Sequence, residues 1–148
     1  MLVMFRAKNF SSFKDEVILD VRATSYTQHP SHVIPLEHFN LLKTVAIYGA
    51  NASGKSNLIS ALHWFEHFIF NQLFQDKSTE ASPNESDENG RLSSIKSFLL
   101  SDPLDLCIEF EMIFIHQEIM YQYGYSFKET LILSEWLHID NDIVFERS

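Results

Sequence analysis

The octapeptide GANASGKS at residues 49–56 limits the possible folds of this chain more than any other feature. It matches the pattern G-x-x-x-x-G-K-[ST] at every required position, between an apolar run at residues 44–48 and a segment with helical periodicity from Lys55. Glycines at both ends of such a loop let successive backbone N–H groups point inward, and the dipole of the following helix adds to their field. The sequence therefore predicts an anion-binding loop that holds phosphate groups.

The residue types in this loop predict how a nucleotide would be held. The ammonium of Lys55 is expected to reach the β- and γ-phosphates, and the hydroxyl of Ser56 is expected to bind Mg²⁺. The alternative is an ordinary turn between a strand and a helix, which would give those two side chains no role. No residue is predicted to be catalytic, and Ser56 is the one predicted metal ligand. The predicted binding residues are Gly49, Ala50, Asn51, Ala52, Ser53, Gly54, Lys55, Ser56 and Asn57.

Periodicity assigns elements on both sides of the loop. Alternating apolar residues predict two strands of a hairpin at residues 1–9 and 17–23. Residues 24–40, with two prolines and three histidines, are expected to form a loop. The short apolar run at residues 44–48 is typical of a buried strand in a parallel sheet. Leucines and aromatic residues at three- and four-residue steps predict one amphipathic helix from Lys55 to about Phe74.

The second half of the chain differs in character. Residues 76–94 are polar and acidic, which predicts a flexible, solvated insertion within the domain, although such a segment could also bind a basic partner. After it, four runs with polar breaks between them predict an antiparallel meander. These runs are residues 104–115, 119–127, 130–139 and 143–147.

Charge and composition exclude several classes of function. The net charge of −9 argues against direct nucleic-acid binding, because that affinity comes mainly from cations that meet phosphates. A single cysteine, Cys107, fits a reducing compartment. No apolar run approaches the roughly 20 residues that a membrane span needs, so we expect a cytoplasmic protein with no membrane partner.

Two stretches resemble a known family. NFSSFKDEV at residues 9–17, followed by YGANASGKSNL at residues 48–58, is similar to the N-terminal part of AAA-type ATPases of the ABC/SMC-like group. Within that group the chain resembles the AAA15-type ATPases, some of which are associated with abortive infection and anti-phage defence. A tyrosine-rich run at residues 121–125 and SEWL at residues 134–137 also fit.

The resemblance implies an α/β fold, a P-loop NTPase that forms the first half of an ABC/SMC-like head. It would have an N-terminal β-hairpin and a C-terminal antiparallel sheet. Residues 1–148 would then be the N-terminal portion of an AAA/ABC-like ATPase domain with its insertion at 76–94. The implied function is binding of ATP with Mg²⁺. A possible partner is a second ATPase head or a full-length homologue.

This chain also departs from the family pattern. Many relatives carry a basic residue directly after the asparagine–phenylalanine pair, where this chain has Ser11, and Lys14 is a possible substitute. The Walker B, glutamine-loop, signature and switch elements of the family are not recognisable. Residues 137–140 resemble an apolar strand that ends in Asp, but residues 140–142 fit a hairpin turn better. We therefore expect poor ATP hydrolysis by this chain alone.

Two other functional classes remain open. A truncated, non-enzymatic head could pair with a full-length ATPase or another subunit and modulate it. A P-loop kinase or GTPase is a further alternative, but the sequence lacks the N-K-x-D pattern that reads guanine.

Three side-chain groups outside the loop have possible roles. His63 and His67 fit H-x-x-E-H, a zinc-protease pattern, but the helix that carries them already follows the phosphate loop, and no downstream helix offers an obvious third ligand. His29 and His32 are a weak metal signal within a loop. The alternating aromatic residues could stack on a base, but packing within a sheet is the commoner role of such a stripe.

Overall fold

A six-stranded antiparallel sheet forms the centre of the molecule. The computed structural model describes residues 1–25, 28–74, 97–98, 107–128 and 131–148, with backbone only at 71–74. The first strands are β1 (Leu2–Lys8) and β2 (Val17–Asp20), and two short strands, β3 (Val33–Pro35) and β4 (Asn40–Leu42), form a separate pair. The helix α1 (Lys55–Phe74) precedes β5 (Ile108–His116), β6 (Ile119–Lys128), β7 (Leu131–Ile139) and β8 (Asp142–Arg147). The spatial order of the strands in the large sheet is β2-β1-β5-β6-β7-β8.

The helix α1 packs on one face of this sheet through aromatic side chains. Phe65 and Phe68 stack on Tyr125 of β6 with ring centroids 5.5 and 4.2 Å apart. Phe110 of β5 and Phe5 of β1 belong to the same cluster, and neither is exposed to solvent. Aromatic pairs at these distances each contribute about 0.5–1.5 kcal/mol beyond the burial of their area. This core fixes where the helix lies and therefore where the loop that precedes it lies.

The opposite face of the sheet has an apolar part and a polar part. The β3–β4 pair covers the apolar part, where Val3, Val21 and Leu41 are buried. In the polar part, Glu111 of β5 accepts hydrogen bonds from Gln122 Nε2 at 3.0 Å and from Trp136 Nε1 at 2.9 Å. Directly opposite Glu111 on β1 is Arg6, whose guanidinium also pairs with Glu16 and Glu109 at 2.8 and 2.5 Å.

Most of the predicted elements are confirmed. The strands β1 and β2 pair as an antiparallel hairpin, and β5 to β8 form the predicted antiparallel meander. The helix begins at Lys55 and ends at Phe74, as its periodicity predicts. The hairpin and the meander are joined in one sheet, because β1 pairs with β5. The predicted loop at residues 24–40 contains regular structure in its described part, namely a 3₁₀ turn at Pro30–His32 and the strand β3.

The predicted buried strand at residues 44–48 is wrong for this structure. These residues form no strand, and Tyr48 is 90% exposed, with Val45 and Ile47 each more than one-third exposed. A parallel strand is buried only when neighbouring strands pair with it, and no strand in the described part of the chain pairs with this run. The described residues therefore form a mostly antiparallel sheet with one helix. The predicted hairpin and C-terminal antiparallel sheet are present, but the parallel strand expected of an α/β P-loop fold is not found among the described residues.

The predicted insertion at residues 76–94 lies outside the described residues. In the part of the chain that the structure describes, no helix has both the length and the apolar character that crossing a membrane requires.

Candidate functional site

The predicted phosphate loop curls against the start of α1. The N–H of Ser53 donates to the carbonyl of Ala50 at 3.3 Å, and Ala52 has a positive φ of 63°. The first helical hydrogen bond runs from the N–H of Leu58 to the carbonyl of Gly54 at 3.0 Å. The N–H groups of Lys55, Ser56 and Asn57, which lie between these two residues, therefore have no partner within the helix. They are available to an anion at the positive N-terminal end of the helix.

Lys55 spans the mouth of this loop. Its Nζ donates to the carbonyl oxygens of Gly49 and Ala50 at 2.8 and 2.5 Å, and lies 3.4 Å from Ser53 Oγ. The ammonium thus lies at the partly exposed surface and not in the apolar core. Backbone carbonyls hold it by hydrogen bonds that a phosphate oxygen could replace with stronger, charge-assisted ones.

A side chain at either glycine of the motif would displace a neighbouring side chain. A Cβ on Gly49 would lie 2.8 Å from Ser53 Oγ. Gly54 has a φ of +90°, and a Cβ there would lie 2.5 Å from Cε1 of Phe13. A backbone in this region is strained for any residue other than glycine. The loop conformation therefore requires glycine at position 54 for two separate reasons.

The turn between β1 and β2 packs directly on the loop. The ring of Phe13 lies against Gly54, and Asn57 Nδ2 on α1 donates to Ser12 Oγ at 2.7 Å. Sequence reasoning did not identify Phe13 or Ser12 as residues next to the site. The resemblance pointed to this turn, but only through a basic residue that this chain lacks.

Asn9 holds the turn in place. This residue is 1% exposed and has a φ of 54°, a conformation that asparagine tolerates better than most residues. Its Nδ2 donates to the carbonyl of Cys107 at 3.0 Å, and its Oδ1 accepts from the N–H of Phe98 at 3.3 Å. The N–H of Phe13 donates to the carbonyl of Phe10 at 2.8 Å, which closes the turn. The contacts with the loop thus come from a turn that is anchored to the sheet.

The remaining residues of the predicted site are at the surface. Ala50, Asn51, Ala52 and Ser56 are exposed around the loop, in reach of a ligand from solvent. Lys14, the possible substitute for a basic residue at position 11, is also exposed on the turn.

The histidines of α1 do not form a metal site with a third ligand in the described residues, which contain no cluster of three His, Cys, Asp or Glu side chains. His63 is exposed, and its ring centroid lies 6.1 Å from that of His67. The rings of His29 and His32 stack at 5.5 Å near the 3₁₀ turn.

The aromatic stripe of β6 belongs mainly to the packed face of the sheet. Tyr125 is fully buried, and burial is the main cause that raises its pKa well above the ordinary value of a phenol. Tyr123 donates to Glu135 Oε1 at 2.6 Å, and its pKa is raised first by burial and then by this hydrogen bond. These rings pack against Phe65 of α1 and are not free to stack on a base.

Comparison with known proteins adds an independent finding. The model of one protein family, described as "AAA domain, putative AbiEii toxin, Type IV TA system", matches residues 45–141. The match includes the loop, α1 and the strands β5 to β7. A search of curated proteins found no match. Because the family model covers well over half of the chain, this protein belongs to that family of P-loop AAA-type domains, whose function is ATPase-like nucleotide binding.

Proposed function

We propose that this chain binds ATP together with Mg²⁺ through residues 49–57. The observation that carries the proposal is the curled loop at the start of α1 with the Lys55 ammonium across its mouth. Two loop carbonyls hold that ammonium, so the positive charge is already located where phosphate groups would enter. The triphosphate would then be bound by backbone N–H groups, by the helix dipole and by Lys55 together.

The oxygen chemistry of the site fits magnesium. Mg²⁺ prefers hard oxygen ligands and usually keeps several waters, so one hydroxyl and the phosphate oxygens are a sufficient set. Ser56 supplies that hydroxyl in the proposal, and its exposure leaves room for the waters. When bound, the ion would neutralise charge on the phosphates, and Ser56 would fix its location relative to Lys55.

Within its family we infer that the domain is of the ABC/SMC-like kind and similar to AAA15-type ATPases. The support is the hairpin β1–β2 beside the loop and the antiparallel sheet behind it, which that resemblance implies. A role in anti-phage defence is part of the same proposal. It is supported by the matched family, whose description names a toxin of a type IV toxin–antitoxin system.

We expect this chain alone to hydrolyse ATP slowly. In-line attack on the γ-phosphate requires a residue that orients or activates water, and P-loop ATPases also use an acidic Walker B residue for the metal. Neither is recognisable in the sequence. Steady-state turnover near one per second, which is typical of efficient phosphoryl-transfer enzymes, would contradict this part of the proposal.

A second candidate function is a non-enzymatic head that pairs with a full-length ATPase or another subunit. The exposure of Val45, Ile47 and Tyr48 directly before the loop favours it, because contiguous apolar side chains at a surface are typical of interfaces. Measurement of the molecular mass in solution, with the candidate partner and with or without ATP, tests this candidate. A mass that never exceeds that of the separate chains would exclude it.

Titration of fluorescently labelled ATP against wild-type protein and Lys55→Ala tests nucleotide binding. Loss of one charge-assisted contact with phosphate weakens affinity by about 10- to 100-fold. The control variant is Lys8→Ala, which removes an exposed lysine of β1 and should leave the affinity unchanged. Equal affinities of the wild type and Lys55→Ala would refute the role of Lys55.

A further inference from the structure

The hydroxyl of Ser12 is oriented by its neighbour Asn57. The amide nitrogen of Asn57 can only donate, so at 2.7 Å the oxygen of Ser12 must be the acceptor. The hydroxyl hydrogen of Ser12 then points away from that amide. Among the described residues, none accepts a hydrogen bond from this hydroxyl.

This hydroxyl lies beside the predicted anion site. Ser12 Oγ is 3.1 Å from the position that a Cβ on Gly54 would occupy. The next residues along the chain are Lys55 and Ser56, the first two of α1, whose N–H groups precede the first helical hydrogen bond. Ser12 is also exposed, so an incoming ligand can reach its hydroxyl from solvent.

The location of Ser12 does not depend on a ligand. Phe13 packs against Gly54, and the turn closes through the hydrogen bond from the N–H of Phe13 to the carbonyl of Phe10. The side chain of Asn9 holds the same turn through its hydrogen bond to the backbone carbonyl of Cys107. A donor that is already held in this way costs little conformational entropy when a ligand binds.

We propose that Ser12 is an additional phosphate-binding residue, whose hydroxyl donates to a phosphate oxygen of the bound nucleotide. Asn57 is its positioning residue, because its amide donates to the Ser12 oxygen and leaves the hydroxyl hydrogen available to the ligand. Phosphate oxygens only accept hydrogen bonds at this site, which matches a hydroxyl that has only its hydrogen left to offer. This inference rests on the proposed function, since it requires that residues 49–57 bind phosphate.

The first test compares the affinity of Ser12→Ala and of wild type for Mg²⁺-ATP and for inorganic triphosphate, which has no base or ribose. A hydrogen bond to a charged oxygen predicts about tenfold weaker binding of both probes by the variant. The thermal midpoint of Ser12→Ala should remain that of the wild type, because Ser12 is exposed. Ser60→Ala, at an exposed position of α1, is the matched control and should bind both probes like the wild type.

Two variants of equal shape separate the hydroxyl from the volume of the side chain. Ser12→Thr keeps the hydroxyl and should bind within about twofold of wild type, whereas Ser12→Val should be as weak as Ser12→Ala. If Ser12→Ala fails to fold, the comparison of the threonine and valine variants still shows whether the hydroxyl contributes to binding. Equal affinities of the threonine and valine variants would overturn the inference.

A double-mutant cycle tests the role of Asn57. In the wild-type background, Asn57→Ala should weaken binding of both probes by about threefold. In the Ser12→Ala background the same substitution should have no effect, because the hydroxyl that Asn57 orients is already absent. Independent losses that multiply in the double variant would show that Asn57 does not act through Ser12.

The outcome also separates this inference from the proposed function. If wild type binds triphosphate and Lys55→Ala does not, but Ser12→Ala binds like wild type, then the inference fails and the proposed function stands. If wild type binds neither probe, both fail together.

Discussion

The substitution Gly124→Ala tests how the polar part of the sheet is packed. Gly124 of β6 lies directly opposite Glu111 of β5 and Trp136 of β7. A Cβ at position 124 would lie 2.3 and 2.4 Å from Cζ2 and Cε2 of the indole ring. Carbon atoms in contact are about 3.5–4.0 Å apart, so the ring must move by more than about 1 Å to admit one methyl group.

The expected cost follows from what the indole ring contacts. Movement of Trp136 breaks its hydrogen bond of 2.9 Å to Glu111, a residue that is only 7% exposed. Loss of one hydrogen bond to a buried charge costs about 1.5–3 kcal/mol, and overpacking adds about 1–3 kcal/mol. The better strand conformation of alanine returns about 0.5–1 kcal/mol. The free energy of unfolding should therefore fall by about 3 kcal/mol.

Urea unfolding measured by tryptophan fluorescence provides the assay. The chain has two tryptophans, so Trp64 and Trp136 report unfolding in the wild type, and Trp64 alone reports it when Trp136 is replaced. In the background Trp136→Phe the smaller ring leaves space for the methyl group, and there Gly124→Ala should cost less than about 1 kcal/mol. A cost that is the same in both backgrounds would refute the steric reasoning, as would an unchanged stability of Gly124→Ala.

Three further predictions concern the loop, its supporting turn and the buried phenols. Gly54→Ala combines a φ of +90° with a collision at Phe13, so we expect thermal unfolding to show a stability about 2–3 kcal/mol lower. ATP binding in the titration should be at least about tenfold weaker, and wild-type values of both quantities would contradict this. Asn9→Ala removes two partly buried side-chain hydrogen bonds, but the N–H of Phe98 keeps its bond to the backbone carbonyl of residue 9, so the expected cost in urea unfolding is about 1–3 kcal/mol. Asn9→Gly, which tolerates the positive φ, should cost nearly the same, and a stability of Asn9→Gly equal to that of the wild type would contradict the role of these bonds. The pKa values of Tyr123 and Tyr125 are raised above the unfolded value of about 10, so their contribution to stability is complete below that pH and is lost as the pH rises above it. Phenolate absorbance should therefore show these two groups ionising only as the protein unfolds, and ionisation at the ordinary pH with the fold intact would contradict it.

Hydrophobic periodicity in the sequence predicted the helix and the strands that each bury one apolar face. The helix α1 carries Leu58, Phe65 and Phe68 on its buried side, and this spacing is visible in the sequence. The meander was predicted for the same reason, because alternating residues with polar breaks identify half-buried strands. The loop residues were also visible, since the glycines, the lysine and the serine form a motif with fixed spacing.

The features that depend on distant partners could not be predicted in this way. The run at residues 44–48 is apolar, but burial of such a run depends on a neighbouring strand that the sequence pattern does not reveal. The strands β3 and β4 pair within a segment whose two prolines, Pro30 and Pro35, indicate a loop in the sequence. Ser12 and Phe13 contact Asn57 and Gly54 across more than 40 residues of chain. Side-chain contacts of this kind have no periodic signal, so only the folded structure identifies them.

Isothermal titration calorimetry of Mg²⁺-ATP, performed in parallel on wild type and Lys55→Ala, measures whether the loop at residues 49–56 binds the nucleotide through its lysine. We expect saturable binding of one nucleotide per chain by the wild type, and affinity at least about tenfold weaker when the lysine is removed. Omission of Mg²⁺ should also weaken binding by the wild type, since Ser56 and the phosphates share that ion. Absence of binding heat across a range of temperatures in the wild type, or indistinguishable titrations of the two proteins, would contradict this role of the loop.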